Sequence, residues 1–97
     1  MSAKDYRIEW RPIARDDLRA IVQYIGKESP SIAMTFGKAI REKTKSLVQY
    51  PELGRTGRLP DIRELVLHPN YIVFYRVLEE TQTVQVLRVK HAAQQVP

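Results

Sequence analysis

The chain predicts an α+β domain, a helical hairpin packed on a small, mostly antiparallel sheet, in the order β-α-α-β-β-β. Three observations carry this. Residues 6–11 alternate apolar and charged; residues 12–50 hold two apolar stripes at helical spacing, each led by a proline; and residues 62–91 read as three consecutive strands.

In the first segment Tyr6, Ile8 and Trp10 share one side and Arg7, Glu9 and Arg11 the other. This is a half-buried strand whose charged outer side suits a sheet edge. Pro12 opens a helix whose apolar face is Ala14, Leu18, Ile21, Val22 and Ile25, with Gly26 as its expected end. Ser29-Pro30 opens a second helix. Its expected stripe is Ile32, Phe36, Ala39, Ile40 and Leu47, weakened at Lys43 and Thr44 and stopped by Pro51. The short link makes the helices antiparallel neighbours. Residues 51–61, PELGRTGRLPD, are rich in glycine and proline and read as a loop.

Of the three strands, the middle one, Tyr71–Leu78, organises the rest. Tyr71, Val73, Tyr75 and Val77 point one way and Ile72, Phe74 and Leu78 the other, interrupted by Arg76. A strand apolar on both sides belongs in the middle of a sheet, covered above and below. Turns are expected at Pro69-Asn70 and at Glu79–Gln82. In the last strand Val84 and Val86 are expected on one face, Leu87 and Val89 on the other, and the tail Ala92–Pro97 carries no strong signal.

Ninety-seven residues make one domain, 1–97, with room for one modest core. With no cysteine, a disulfide framework and a thiolate metal site are both excluded. His68 and His91 are too few to suggest zinc, and nothing points to a cofactor. No apolar run approaches the ~18 residues that span a bilayer, and MSAKDYRIEW has no signal-peptide core, so a soluble, cytoplasmic protein is expected. The net charge is +5. Residues 1–50 carry 10 Lys/Arg against 6 Asp/Glu and residues 51–97 carry 6 against 5, so the basic surplus lies on the helical half. An acidic partner fits it, as does a merely solvated basic surface.

Three blocks, LGRTGRLPDIRELV, HPNYIVFYRV and VLRVKHAAQ, resemble the RelE/ParE superfamily of toxins from type II toxin–antitoxin pairs. The first is similar to its P-x-x-G-R-x-G-R loop and following strand, the second to its aromatic-x-x-x-Tyr-Arg-Val central strand, and the third to a last strand that ends in histidine in many ParE-like members. With the helices, the resemblance spans nearly the whole chain and implies the RelE/ParE fold. RelE-type members cleave mRNA on the ribosome with basic groups that grip the scissile phosphate. Two of those positions fall here on Ile72 and Ala92, and the family's C-terminal tyrosine has no counterpart before Pro97. ParE-type members are described as inhibiting DNA gyrase, blocking replication and arresting growth, often in plasmid stabilisation. Phe74-Tyr75-Arg76-Val77 and Val89-x-His91 match them, so the resemblance favours the ParE-like branch. The alternatives are a ribosome-dependent mRNA endoribonuclease and an inactive antitoxin-binding member. The resemblance also implies a cognate antitoxin with an acidic C-terminal segment, wrapping the sheet or the Tyr6–Trp10 edge, and contact with operator DNA only through that antitoxin.

Each candidate residue has two readings. Arg63 would touch a target or phosphate, or Glu64 would form a cross-strand ion pair with an arginine such as Arg76. Arg76 and Arg88 are either contact cations or paired structural arginines. His91 is a contact residue, and in the ribonuclease alternative a general acid or base alongside Arg63, Arg76 and Arg88; otherwise it is a hydrogen-bonded strand terminus. Arg55 and Arg58 flank Gly57 in a loop that would admit an anion or stay solvated. Tyr75, with Tyr71, would stack on a target or pack under the helices.

Overall fold

The computed structural model describes residues 5–68 and 70–93. Five strands form one sheet in the order β1-β5-β4-β3-β2, with β1 Arg7–Trp10, β2 Arg55–Thr56, β3 Arg63–His68, β4 Tyr71–Leu78 and β5 Thr83–His91. β1 lies parallel to β5, and the other pairings are antiparallel. Helices α1 Pro12–Glu28 and α2 Pro30–Lys45 pack on each other and on the sheet. The predicted order therefore stands, with β1 at an edge and β4 in the centre.

Several expectations shift in detail. β2, two residues inside the expected loop, supplies the far edge of the sheet. Helix α1 runs past Gly26 to Glu28, because the real stop is the Ser29-Pro30 boundary. Ser29 serves both helices: its N–H donates to the Ile25 carbonyl and its Oγ accepts from Ile32 N–H. The buried face of α2 is Ala33, Phe36, Gly37, Ile40 and Thr44, while Ile32 stays 60% exposed and Ala39 also faces out. The stripe thus turns one residue from the expected one. Thr44 can be buried because its hydroxyl donates to the Ile40 and Arg41 carbonyls, at 2.9 and 3.0 Å. A single 3-10 turn, Ser46–Val48, then seats Leu47 in the core.

The last strand carries a β-bulge that its alternation conceals. Phe74 pairs with Arg88 and Tyr75 with Val86, so Leu87 is an extra residue. The bulge resets the period, and Val84, Val86 and Val89 all become buried, opposite Val77, Tyr75 and Val73. With Ala14, Phe36, Ile40, Leu47 and Leu65 they make the core. The helices cover only that face of β4. On the other, Phe74 is buried outside the core cluster, between its cross-strand neighbours Glu64 and Arg88. Ile72 and Leu78 remain half-buried and Arg76 exposed, so this face is open. Of the expected turn at Pro69-Asn70, Pro69 lies outside the described residues, as do residues 94–97 of the tail.

Candidate binding surface

The glycine-rich segment after α2 is tied down by one buried ring. Tyr75 has no exposed surface; its hydroxyl donates to the Pro51 carbonyl at 2.7 Å and accepts from Gly54 N–H at 2.8 Å. Burial pushes the phenol up, so it keeps the proton that it donates. Tyr75 therefore packs under the helices and presents nothing to a partner. Arg63 completes the fastening: its Nη1 donates to the Gly54 carbonyl at 2.8 Å and the Glu52 carbonyl at 3.4 Å.

Glu64 is nearly buried, and its partner is Arg55, its register neighbour on β2, rather than Arg76. Arg55 Nε and Nη2 both reach Glu64 Oε1, at 3.2 and 3.0 Å. Gly57 is what lets the carboxylate sit there, since a Cβ at that position would lie 2.7 Å from Glu64 Oε2. One of the two expected loop arginines, Arg55, thus organises the loop itself, together with Arg63 at the start of β3.

Arg76 is exposed on the open face, and its Nε donates to Gln85 Oε1 at 2.9 Å. Gln85 in turn approaches Glu9 on β1 at 3.4 Å, so a polar row Arg76–Gln85–Glu9 crosses three strands. Ile72 lies in a parallel row between Val66 and Lys90. No cation stands at Ile72 itself, but Lys90 is beside it.

Arg88 is held by Asp17 of α1, with Nε–Oδ2 2.7 Å and Nη2–Oδ1 3.0 Å. Asp17 Oδ2 also accepts Val89 N–H at 3.0 Å, because β1 ends opposite Val86 and, among the described residues, no strand continues along that edge of β5. Burial alone would raise the Asp17 carboxyl; the Arg88 and Val89 hydrogen bonds outweigh it and hold the group below the usual carboxylate range. Sequence reasoning missed Asp17, although it continues the Ala14–Leu18–Ile21 face, where an acid signals a buried cation. It also missed Lys90 as the neighbour of Ile72.

His91 sits edge-on to Tyr71, with ring centroids 5.1 Å apart, and its Nδ1 accepts Ala93 N–H at 3.0 Å. Nδ1 is thus occupied as an acceptor, and in the neutral ring the proton belongs on Nε2. Arg88, Lys90, His91, Tyr71 and Asp17 line one recess of about 460 Å³. Arg58, Arg63 and Arg76 meet at a second, about 520 Å³, at the other end of the sheet. The candidate residues therefore fall into two groups rather than one cluster. Among the described residues no three His, Cys, Asp or Glu side chains gather as a metal would require, and no helix is long and apolar enough to cross a membrane.

The family model described as ParE toxin of type II toxin–antitoxin system, parDE, matches residues 8–96. The chain belongs to the ParE toxin family. Within that family's wider superfamily, this ParE-family chain is 39% identical over 84 residues to Toxin RelE2 of Caulobacter vibrioides, covering 87% of this chain and 90% of that one. Among solved structures it is similar to the chromosomal ParDE system of P. aeruginosa, with a TM-score of 0.78, 27% identity, and 92% and 98% of the two chains covered. The intact E. coli RelBE complex shares the fold, with a TM-score of 0.63 at 18% identity over 92% and 99% of the chains. The expected RelE/ParE fold is thus the observed one, and this ParE-family member is a type II toxin–antitoxin toxin.

Proposed function

We propose that this toxin acts in the cytoplasm as a non-covalent inhibitor of DNA gyrase, arresting replication, and that a cognate antitoxin with an acidic C-terminal segment neutralises it. The observation that carries this reading is the open sheet face. The strand position where RelE-type members grip phosphate holds Ile72, flanked across the sheet by apolar Val66. An alkyl side chain can neither neutralise nor donate to a developing oxyanion. Arginines whose charge is met within the fold, with Arg76 outward on Gln85, suit docking onto a large partner better than chemistry on a small group. Purified toxin added to gyrase and relaxed plasmid should abolish supercoiling; full supercoiling at excess toxin overturns the proposal.

A second reading, a ribosome-dependent endoribonuclease, is favoured by the recess that gathers Arg88, Lys90 and His91 around Tyr71 and by the likeness to a relative named for RelE. In it Lys90 supplies, from the neighbouring strand, the cation that Ile72 lacks. Primer extension on mRNA from toxin-expressing cells separates the two: codon-positioned new ends support cleavage, and their absence removes it.

A further inference from the structure

β4 outruns its neighbour. The last β3–β4 pair is Arg63 with Tyr75, yet β4 continues to Leu78. The chain before Arg63 does not follow it. The Ile62 carbonyl accepts from Gly57 N–H at 3.0 Å and its N–H donates to the Leu59 carbonyl at 3.3 Å, both on the side away from β4. Asp61 takes a left-handed φ of 64°, which turns the loop off the strand line. Since backbone groups alternate sides along a strand, Arg63 faces Tyr75, and two residues on Val77 presents its N–H and C=O to the same side. Among the described residues no strand lies there. The space is the recess of about 520 Å³ between loop 57–62 and the end of β4.

The recess is mixed in character. Leu59, Ile62 and Leu78 supply apolar wall, and Arg58, Arg63 and Arg76 outnumber Asp61. Arg63 is spent on the Gly54 and Glu52 carbonyls. Arg76 uses its Nε on Gln85, and its terminal nitrogens make no hydrogen bond with the described residues. Arg58 makes no hydrogen bond or ion pair with the described residues. An unpaired strand edge presents an N–H and a C=O together, and an extended peptide backbone carries the matching pair. The two available arginines then select acidic side chains beside that backbone.

We propose that this recess is a subsite for an extended, acidic stretch of the antitoxin, one residue of which pairs with Val77 while flanking carboxylates meet Arg58 and Arg76. The proposal rests on the toxin–antitoxin reading and specifies where and how one segment docks. It gives this short gap the same treatment that Asp17 gives the orphan Val89 edge, with the acceptor supplied by a partner.

The test uses the full chain in complex with the product of the adjacent antitoxin reading frame, followed by amide hydrogen exchange resolved by residue. Complex formation should slow exchange at Val77 by roughly 100-fold. Arg58→Glu should weaken the complex by about tenfold or more at low salt, with the melting temperature of the free toxin unchanged. A tight complex in which Val77 exchanges as in the free chain overturns the subsite and leaves the antitoxin reading standing. Failure to form any complex overturns both. Protection of Val77 by an added oligoribonucleotide, and not by the antitoxin, overturns the assignment to peptide.

Discussion

The Tyr75 hydroxyl and the Gly54 nitrogen, 2.8 Å apart, join the centre of the sheet to the loop after α2. The ring is fully buried and its oxygen is the only polar atom it brings, so its two hydrogen bonds decide how residues 51–54 leave the core. Tyr75→Phe keeps the ring and removes both bonds, leaving Gly54 N–H and the Pro51 carbonyl to be resolvated. We expect a loss of about 1–3 kcal/mol in urea denaturation, and a melting temperature lower by several degrees.

The same closeness makes glycine necessary at 54. A Cβ there would stand 2.8 Å from Tyr75 Oη and Cε1 and 3.0 Å from the Glu64 carbonyl. The ring has no space to retreat into. Gly54→Ala should therefore cost about 1–3 kcal/mol. Gly26→Ala is the control: its Cβ would meet Ala33 Cβ at 3.6 Å, an ordinary contact, within a helix. That change should stabilise by about 0.5–1 kcal/mol. Equal effects of the two would refute the steric account.

Asp17 makes stability depend on acid. Its carboxyl titrates lower in the folded chain than its unfolded value of about 3.9, so its contribution is fully present above that pH and is lost as pH falls through the folded value. Denaturant midpoints at pH 7 and pH 3 should differ more for the parent than for Asp17→Asn. The asparagine keeps an acceptor for Val89 N–H but cannot neutralise Arg88. An unchanged pH dependence in the variant would remove Asp17 from this role.

Toxicity separates the two groups of cations. Under the gyrase reading His91→Ala should leave growth arrest intact, since no proton transfer is needed. Arg76→Glu reverses an exposed charge on the docking face and should raise the half-inhibitory concentration against gyrase by about tenfold or more. A nontoxic His91→Ala that remains folded would favour the ribonuclease instead.

How much of this was legible beforehand follows from what each feature depends on. The alternation of Tyr6, Ile8 and Trp10, the two-sided apolar run at 71–78 and the Ser29-Pro30 boundary are written in neighbouring residues, and each element formed where those patterns lie. Local period and cap chemistry act before any long-range contact, so a linear reading captures them. The fold and the central place of β4 follow from the same patterns.

The remaining features depend on which residues meet across the chain. A bulge at Leu87 leaves no mark in an alternating strand, yet it puts Val89 in the core. Glu64 takes Arg55 rather than Arg76 because a two-residue strand, too short to announce itself, sets that register. Arg88 finds Asp17 71 positions away because β1 stops short and exposes an edge that α1 can reach. Ordered sequence thus determined the elements, their succession and their family, because those rest on contacts among neighbours. Register and edge length, which only packing in three dimensions sets, decided which arginines are paired within the fold and which stay exposed.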